Sequence, residues 1–199
     1  MMDNTQTLDL IQGIDLYLLD QILKGNLNYK LQVLDAGCGS GRNLIALDNL
    51  GFDVTGFDPN PDIIDSLRLQ LPHMAKKIMH SDIESFSITT QYDYIIVNAV
   101  LHFAKSHAHF KLLFSKLVEL LAPKGQIFIR MTSNFAIKKP FNTNSGGIAY
   151  LPDESFRYLL EQDRLEKLMK NHGLDLVEPI KTVNVANERC MTTLILQKR

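Results

Sequence analysis

Cysteine is scarce in this chain: Cys38 and Cys190 are the 2 among 199 residues. So few make neither a disulfide framework nor a CxxC metal site, and they point to a reducing cytoplasm. Charge of one sign is also missing. With 21 Lys and Arg against 22 Asp and Glu, the formal net charge is −1, so no basic field draws the protein to nucleic acid or to an anionic membrane. The opening "MMDNTQTLDL" lacks a basic stretch followed by an apolar one, and no signal peptide is expected. No apolar run approaches the ~20 residues that span a bilayer. Repeats, low-complexity tracts and linkers are absent too, so the expectation is one globular domain over residues 1–199, large enough to bury a core without staples.

What is present is an alternation of strands and helices. "LDLIQGIDLYLLDQILKG" places Ile11, Ile14, Leu18 and Ile22 at helical spacing before Gly25. "LQVLDA" is a short buried strand, and "RNLIALDNLG" a helix stopped by Gly51. "FDVTGFD" is the second strand. "NPDIIDSLRLQLP" is a helix with Asn60 as N-cap and Pro61 where a missing amide costs nothing. "KKIMHSD" and "YDYIIVNAV" supply strands three and four, "HFKLLFSKLVELLAPKG" a helix ending at Pro123 and Gly125, and "QIFIRMTS" strand five. The pattern is that of a parallel sheet covered on both faces.

After residue 132 the rhythm breaks. Residues 133–160, rich in Asn, Ser, Gly and Pro, give no firm element. A helix resumes at "EQDRLEKLMKNHG". Two strand-like runs follow, "LDLVEPIKTVNV" and "CMTTLILQKR", and their short link forbids a crossover helix. They should pair antiparallel at the end of the sheet.

One stretch carries the chemistry. In "VLDAGCGSGRN", residues 33–43, three glycines alternate directly after the first strand and before a helix. Glycines there allow a tight turn and close approach of a ligand to the main chain, at the carboxyl end of the sheet where open α/β folds bind ligands. The following helix N-terminus would offer amides to polar groups. Strand two ends at Asp58, close to the roughly 20-residue spacing of a carboxylate that takes a ribose diol. An adenosine-containing ligand follows. The pyrophosphate fingerprint G-x-G-x-x-G is not met, because its sixth place is Arg42. Asp35 beside the loop repels pyrophosphate and suits an ammonium group, which favours S-adenosylmethionine over NAD.

These residues resemble a known family. "LDAGCGSGRN…GFDVTGFDPNP" is similar to class I S-adenosylmethionine-dependent methyltransferases over nearly the whole chain, and to small bacterial ones of the tellurite-resistance type. The resemblance implies an α/β, Rossmann-like three-layer sandwich with a seven-stranded, mostly parallel sheet and an antiparallel last strand. It implies that Asp35, Gly37, Cys38 and Gly39 line the methionine part and that Asp58 holds the ribose hydroxyls. It also puts Asp82 of "SDIESF" near the adenine amine, Ile83 on the ring, and Asn98 beside the methionine moiety.

Plainer roles stand beside these. Asp35 can cap the turn, Asp58 can introduce a helix, and strand-end Asp82 can form a turn. Cys38 has no neighbouring base in sequence and is a small loop residue rather than a nucleophile. Arg42, unfavourable at a helix N-terminus, calls for a nearby carboxylate. Methyl transfer from a sulfonium depends mainly on alignment, worth roughly 7–11 kcal/mol at best, so the catalytic residues are poorly constrained.

The acceptor should meet the methyl group near the ends of strands four and five. His102 is a base there or a histidine satisfied by backbone. His102, His107 and His109 fit no standard zinc spacing, and no metal is expected. Arg130 shares a face with Phe128 and Thr132, and a buried arginine needs a partner such as a substrate carboxylate. Lys138 and Lys139 are solvated loop charges. Tyr150 and Tyr158 are pocket candidates on the substrate-side segment 133–160, and Tyr17 is one on an N-terminal lid, residues 1–30. "NAVL" after strand four is not the N-P-P-aromatic signature of base methylases, so a small-molecule acceptor is favoured over nucleic acid. A thiol, a chalcogen oxyanion and a carboxylate remain open. The competing readings are a non-catalytic S-adenosylmethionine-binding protein and a nicotinamide oxidoreductase.

Overall fold

The computed structural model describes residues 8–87, 89–138 and 141–199. Its architecture is α/β around a mixed, mostly parallel sheet whose last strand runs antiparallel. Contacts group the chain into two compact units that divide between Ile96 and Val97.

In the first unit, helix α1 (Leu16–Leu23) precedes β1 (Gln32–Ala36), α2 (Arg42–Asn49), β2 (Asp53–Asp58), α3 (Pro61–Gln70) and β3 (Ile78–His80). Strand β4 (Tyr92–Asn98) reaches the division. The strands run β3-β2-β1-β4, with β1 parallel to β2 from Gln32↔Asp53 to Ala36↔Phe57. This order puts the ends of β1 and β2 side by side. Helix α2 buries Leu44 and Leu47 completely, and α3 does the same with Ile64. Each such side chain contributes about 1.5–3 kcal/mol. Asn60 caps α3 as expected, its side-chain oxygen accepting from the Asp62 and Ile63 amides at 3.0 and 3.3 Å.

The expected first helix over residues 8–25 is broken. Gly13 adopts φ +83°, and Asp15 caps a shorter helix by accepting from the Tyr17 amide at 2.9 Å.

The second unit holds α4 (His107–Glu119), β5 (Leu121–Thr132), β6 (Ile148–Tyr150), β7 (Phe156–Tyr158), α5 (Gln162–His172), β8 (Leu174–Leu176), β9 (Lys181–Val185) and β10 (Arg189–Lys198). Strand β10 pairs antiparallel with β5 on one side and with β8 and β9 on the other. The expected run "LDLVEPIKTVNV" is therefore two strands, interrupted around Pro179, which cannot donate to a ladder. The expected long helix ends at Glu119, and β5 already begins at Leu121 with Lys124 at φ +64°.

The described residues of segment 133–160 form more regular structure than its composition suggested. Strands β6 and β7 form an antiparallel pair. The Asn144 side-chain oxygen accepts from the amides of Gly146 and Ile148 at 2.9 and 3.0 Å. Its backbone pairs with Ile148 and Gly147. The turn is built by one asparagine, which is why hydrophobic periodicity did not show it.

Candidate functional site

Strand β1 ends in Asp35 and Ala36, and the chain turns through Gly37, Gly39 and Gly41 with φ of +77°, +53° and +86°. Gly41 is also the N-cap of α2, where a Cβ would lie 2.5 Å from Leu67 Cδ2. Around Gly39 nothing lies within 4 Å of such an atom. The turn is thus closed on its α3 side and open at its middle glycine.

Four of the loop's amides are already used. The amides of Gly37 and Cys38 both donate to the Phe57 carbonyl at 2.9 Å, and that of Gly41 to the Cys38 carbonyl at 3.0 Å. The Gly39 amide donates to Asp58 Oδ2 at 2.9 Å, while Asp58 Oδ1 accepts from the Asn60 amide at 3.0 Å. An ionised carboxylate has about four lone-pair sites, so each Asp58 oxygen keeps one for a ligand. Strand β2 and the turn itself thus take these four amides.

Asp35 adds to the acceptor excess. It is 1% exposed, and its Oδ2 has no hydrogen-bond partner. Burial pushes its carboxyl up to about 7, partly offset by Arg42 and reinforced by Asp58. Cys38 is buried, and burial together with Asp35 and Asp58 raises its thiol well above the usual range. A neutral, enclosed thiol is no nucleophile, in line with the small-residue role.

Neighbouring groups hold this loop. Arg42 pairs with the buried Asp15 at 3.5 Å, the carboxylate its position called for. The Asp15 amide donates to Asn43 Oδ1 at 2.9 Å. Sequence reasoning missed Asn43, and also Gly56 in mid-strand β2, where a Cβ would lie 2.2 Å from Leu44 Cδ1 and 3.3 Å from Cys38 Sγ. A lone glycine inside a strand was the available signal. Tyr17 is half-buried on α1.

Asp82 is exposed and caps its own turn: its Oδ1 accepts from the Ser85 amide at 2.7 Å and the Ser85 hydroxyl at 2.6 Å. The Ser85 hydroxyl and amide hold its carboxyl below the usual range. Ile83 is 5% exposed, and Phe57 and Phe86 stack at 4.2 Å.

In the second unit, both amide atoms of Asn98 are shielded from solvent and lack a hydrogen-bond partner. The next residue, Ala99, adopts φ +62° and donates its amide to the Arg130 carbonyl at 2.8 Å. Positive φ at an alanine marks a strained strand exit. His102 is 7% exposed on the turn Leu101–Phe103. Its Nδ1 is buried and partnerless, so it is not satisfied by backbone at that atom. Burial, then Arg157 and Arg189, push its imidazole down to about 4.

One pocket expectation needs correction. Tyr158 is fully buried, stacks on Phe110 at 4.5 Å and shares a 2.8 Å hydrogen bond with His107 Nδ1. It is a core residue, because strand β7 turns it inward. His109 Nδ1 accepts from the Lys105 amide at 3.0 Å, so His107 and His109 are structural. Tyr150 is 58% exposed against Phe156, and Arg130 is half-buried. Lys138 is exposed, whereas Lys139 lies outside the described residues. No group of three or more His, Cys, Asp or Glu side chains that could hold a metal ion occurs among the described residues.

Comparison with known proteins gives this geometry a context. Residues 10–179 match the family model described as "Methyltransferase domain". Trans-aconitate 2-methyltransferase of Methylobacterium radiotolerans is 34% identical over 105 residues, 52% of this chain and 38% of that protein. The match thus spans less than half the length of this curated relative. Magnesium protoporphyrin IX methyltransferase from Synechocystis, solved with its bound cofactor SAM, superposes with TM-score 0.68 at 18% identity, covering 100% of this chain and 86% of that one. TehB from Haemophilus influenzae gives TM-score 0.64 at 21% identity, covering 90% and 62%. At such identities the structural likeness concerns the fold.

Proposed function

Because this chain belongs to the methyltransferase domain family, we propose that it is an S-adenosylmethionine-dependent methyltransferase acting on a small-molecule acceptor. One observation carries the reading: four amides of the glycine loop are spent internally, while Asp35 Oδ2 and the Asp58 oxygens remain as acceptors. Such a cradle is matched by a ligand that brings donors, an ammonium and a ribose diol. It is mismatched to pyrophosphate, which needs the amides free. The residues present therefore fit the group.

When bound, S-adenosylmethionine supplies an electrophilic methyl carbon on a sulfonium. Asp58 accepts the two ribose hydroxyls while keeping Gly39 in place. Asp35 receives the ammonium, and that charge favours its ionised form. Gly37, Cys38 and Gly39 give the methionine part bare main chain at the open centre of the loop. Asp82 and Ile83 take the adenine amine and ring, and Asn98 uses its unpartnered amide on the methionine moiety. Arg42, tied to Asp15, occupies the place where a dinucleotide fold needs a small residue.

The relatives' name, trans-aconitate methyltransferase, puts carboxylates among the acceptors considered. Both described cysteines are free, which suits a reducing cytoplasm. The test has two stages. Titration should give binding of S-adenosylmethionine and S-adenosylhomocysteine and none of NAD. Methyl release from labelled donor should then occur with some member of a panel of thiols, oxyanions and carboxylates. Tight NAD binding without adenosyl binding would overturn the proposal.

A further inference from the structure

Outside the glycine loop, the described residues of the second unit bring two arginines to one place. Arg157 lies on β7 and holds its guanidinium 4.7 Å over the ring of Phe103, which in turn packs edge-on against His102 at 4.5 Å. Arg189, at the start of β10, contacts Asp153 at 3.6 Å from the loop between β6 and β7. Both arginines also lower the Asp153 carboxyl, after its Ser155 hydrogen bonds, and both act on His102. Phe103 is 61% exposed. The patch therefore joins two cations, one exposed aromatic ring and a buried, partnerless imidazole nitrogen.

We propose that the turn Leu101–Phe103 and the β6–β7 hairpin form the acceptor site for a carboxylate-bearing small molecule, gripped by Arg157 and Arg189, with Asp153 standing in for that carboxylate until it arrives. The proposal rests on the methyltransferase reading and names its acceptor class. At 3.6 Å the Arg189–Asp153 contact is longer than a good charge-assisted hydrogen bond, so an incoming carboxylate can improve on it. Arginine's planar fork suits that partner better than a point charge would. Phe103 supports the Arg157 guanidinium from below.

The chemistry agrees with the same acceptor. A carboxylate oxygen is already unprotonated at neutral pH. It forms the new O–C bond to the methyl carbon, the C–S bond breaks with its electron pair passing to sulfur, and no proton moves. The products are a methyl ester and the neutral thioether. No general base is required, and His102, held neutral by burial and then by Arg157 and Arg189, is a weak one. Its role is positioning through the partnerless Nδ1.

The experiment is calorimetric titration of the full chain, saturated with S-adenosylhomocysteine, by succinate, tricarballylate and benzoate. Trimethyl tricarballylate and inorganic phosphate are the controls. At least one carboxylate should bind, and the ester and phosphate should not. Arg157→Gln and Arg189→Gln should each weaken that carboxylate roughly tenfold or more, with S-adenosylhomocysteine affinity unchanged. Asp153→Asn should tighten it roughly two- to fivefold, a direction that a purely structural Asp153 would not produce. The His102 ring protons, followed by NMR, should titrate at higher pH when the carboxylate is bound. No carboxylate binding, equal affinity in the arginine variants, or equal binding of the ester or phosphate would overturn the proposal while leaving the methyltransferase reading intact. Failure of S-adenosylhomocysteine itself to bind would overturn both.

Discussion

The glycine loop of the first unit and segment 133–160 of the second are both irregular, glycine-bearing connections, yet they are built by different means. In the loop, the main chain is fixed by positive φ at three glycines and by strand β2, whose Phe57 carbonyl takes two amides. In the segment, single polar side chains do the fixing. Asn144 organises one turn, and Asn134 exchanges hydrogen bonds with Phe141 at 3.2 and 3.4 Å. A loop held by strand geometry presents a constant surface to a constant ligand. One held by side chains can change its surface with a few substitutions, which would suit the acceptor role proposed for it.

The largest effect expected from this contrast is electrostatic and belongs to the loop alone. Native Asp35 holds its proton up to about pH 7, above the ordinary 3.8. The native state therefore binds more protons than the unfolded chain between these values. Stability is full below the unfolded pKa and is lost as pH rises through about 7, by an amount of order 4 kcal/mol. Urea unfolding at pH 5 and pH 8 should show the larger part of the loss, about 2–3 kcal/mol, and Asp35→Asn should abolish most of it. Ligand affinity should run the other way and rise with pH in the wild type, because an ammonium prefers the ionised carboxylate. A flat stability profile would remove the buried-carboxylate argument.

Packing behind the loop comes next. Gly56→Ala forces a Cβ to 2.2 Å from Leu44 Cδ1 in a filled core, and a loss of about 1–3 kcal/mol is expected from overpacking. Thermal unfolding would check it, since an unshifted midpoint would mean that Leu44 moves aside freely. Asp15→Ala removes the α1 cap and the partner of Arg42, for about 1–2 kcal/mol. The smallest global effect should come from the other region. Asn144→Ala leaves two turn amides without their acceptor and should cost about 1 kcal/mol. Hydrogen exchange should rise around residues 144–150, while S-adenosylhomocysteine binding stays the same. If that variant weakened adenosyl binding, the division of labour between the regions would fail.

The same contrast explains what the sequence made legible. Strands β1, β2 and β4 and helices α2 and α3 follow from apolar spacing and from caps such as Asn60, because burial and capping are local rules. The antiparallel finish followed from a link too short for a crossover. Gly13, by contrast, looked like an ordinary helix position, since apolar spacing continues across the break. Leu120 and Leu121 looked helical, yet β5 begins at the second of them. Asp35 and Asp58 lie near the ends of β1 and β2, as the strand pattern implied. The Asp15–Arg42 pair was half legible, a demand for a carboxylate without its identity. Tyr158 was misjudged because an aromatic in a polar segment gives no sign of which side its strand buries. Nothing along the chain links Arg157 and Arg189 to His102, since three separate elements bring them together.

The central proposal is a glycine loop with four amides spent internally, beside which Asp58 would take the ribose. The direct measurement is calorimetry of S-adenosylhomocysteine with the wild type and with Asp58→Ala, each first shown to be folded by circular dichroism. Two charge-assisted hydrogen bonds lost together predict an affinity lower by roughly 100-fold or more. Equal affinity in the folded variant would contradict the account.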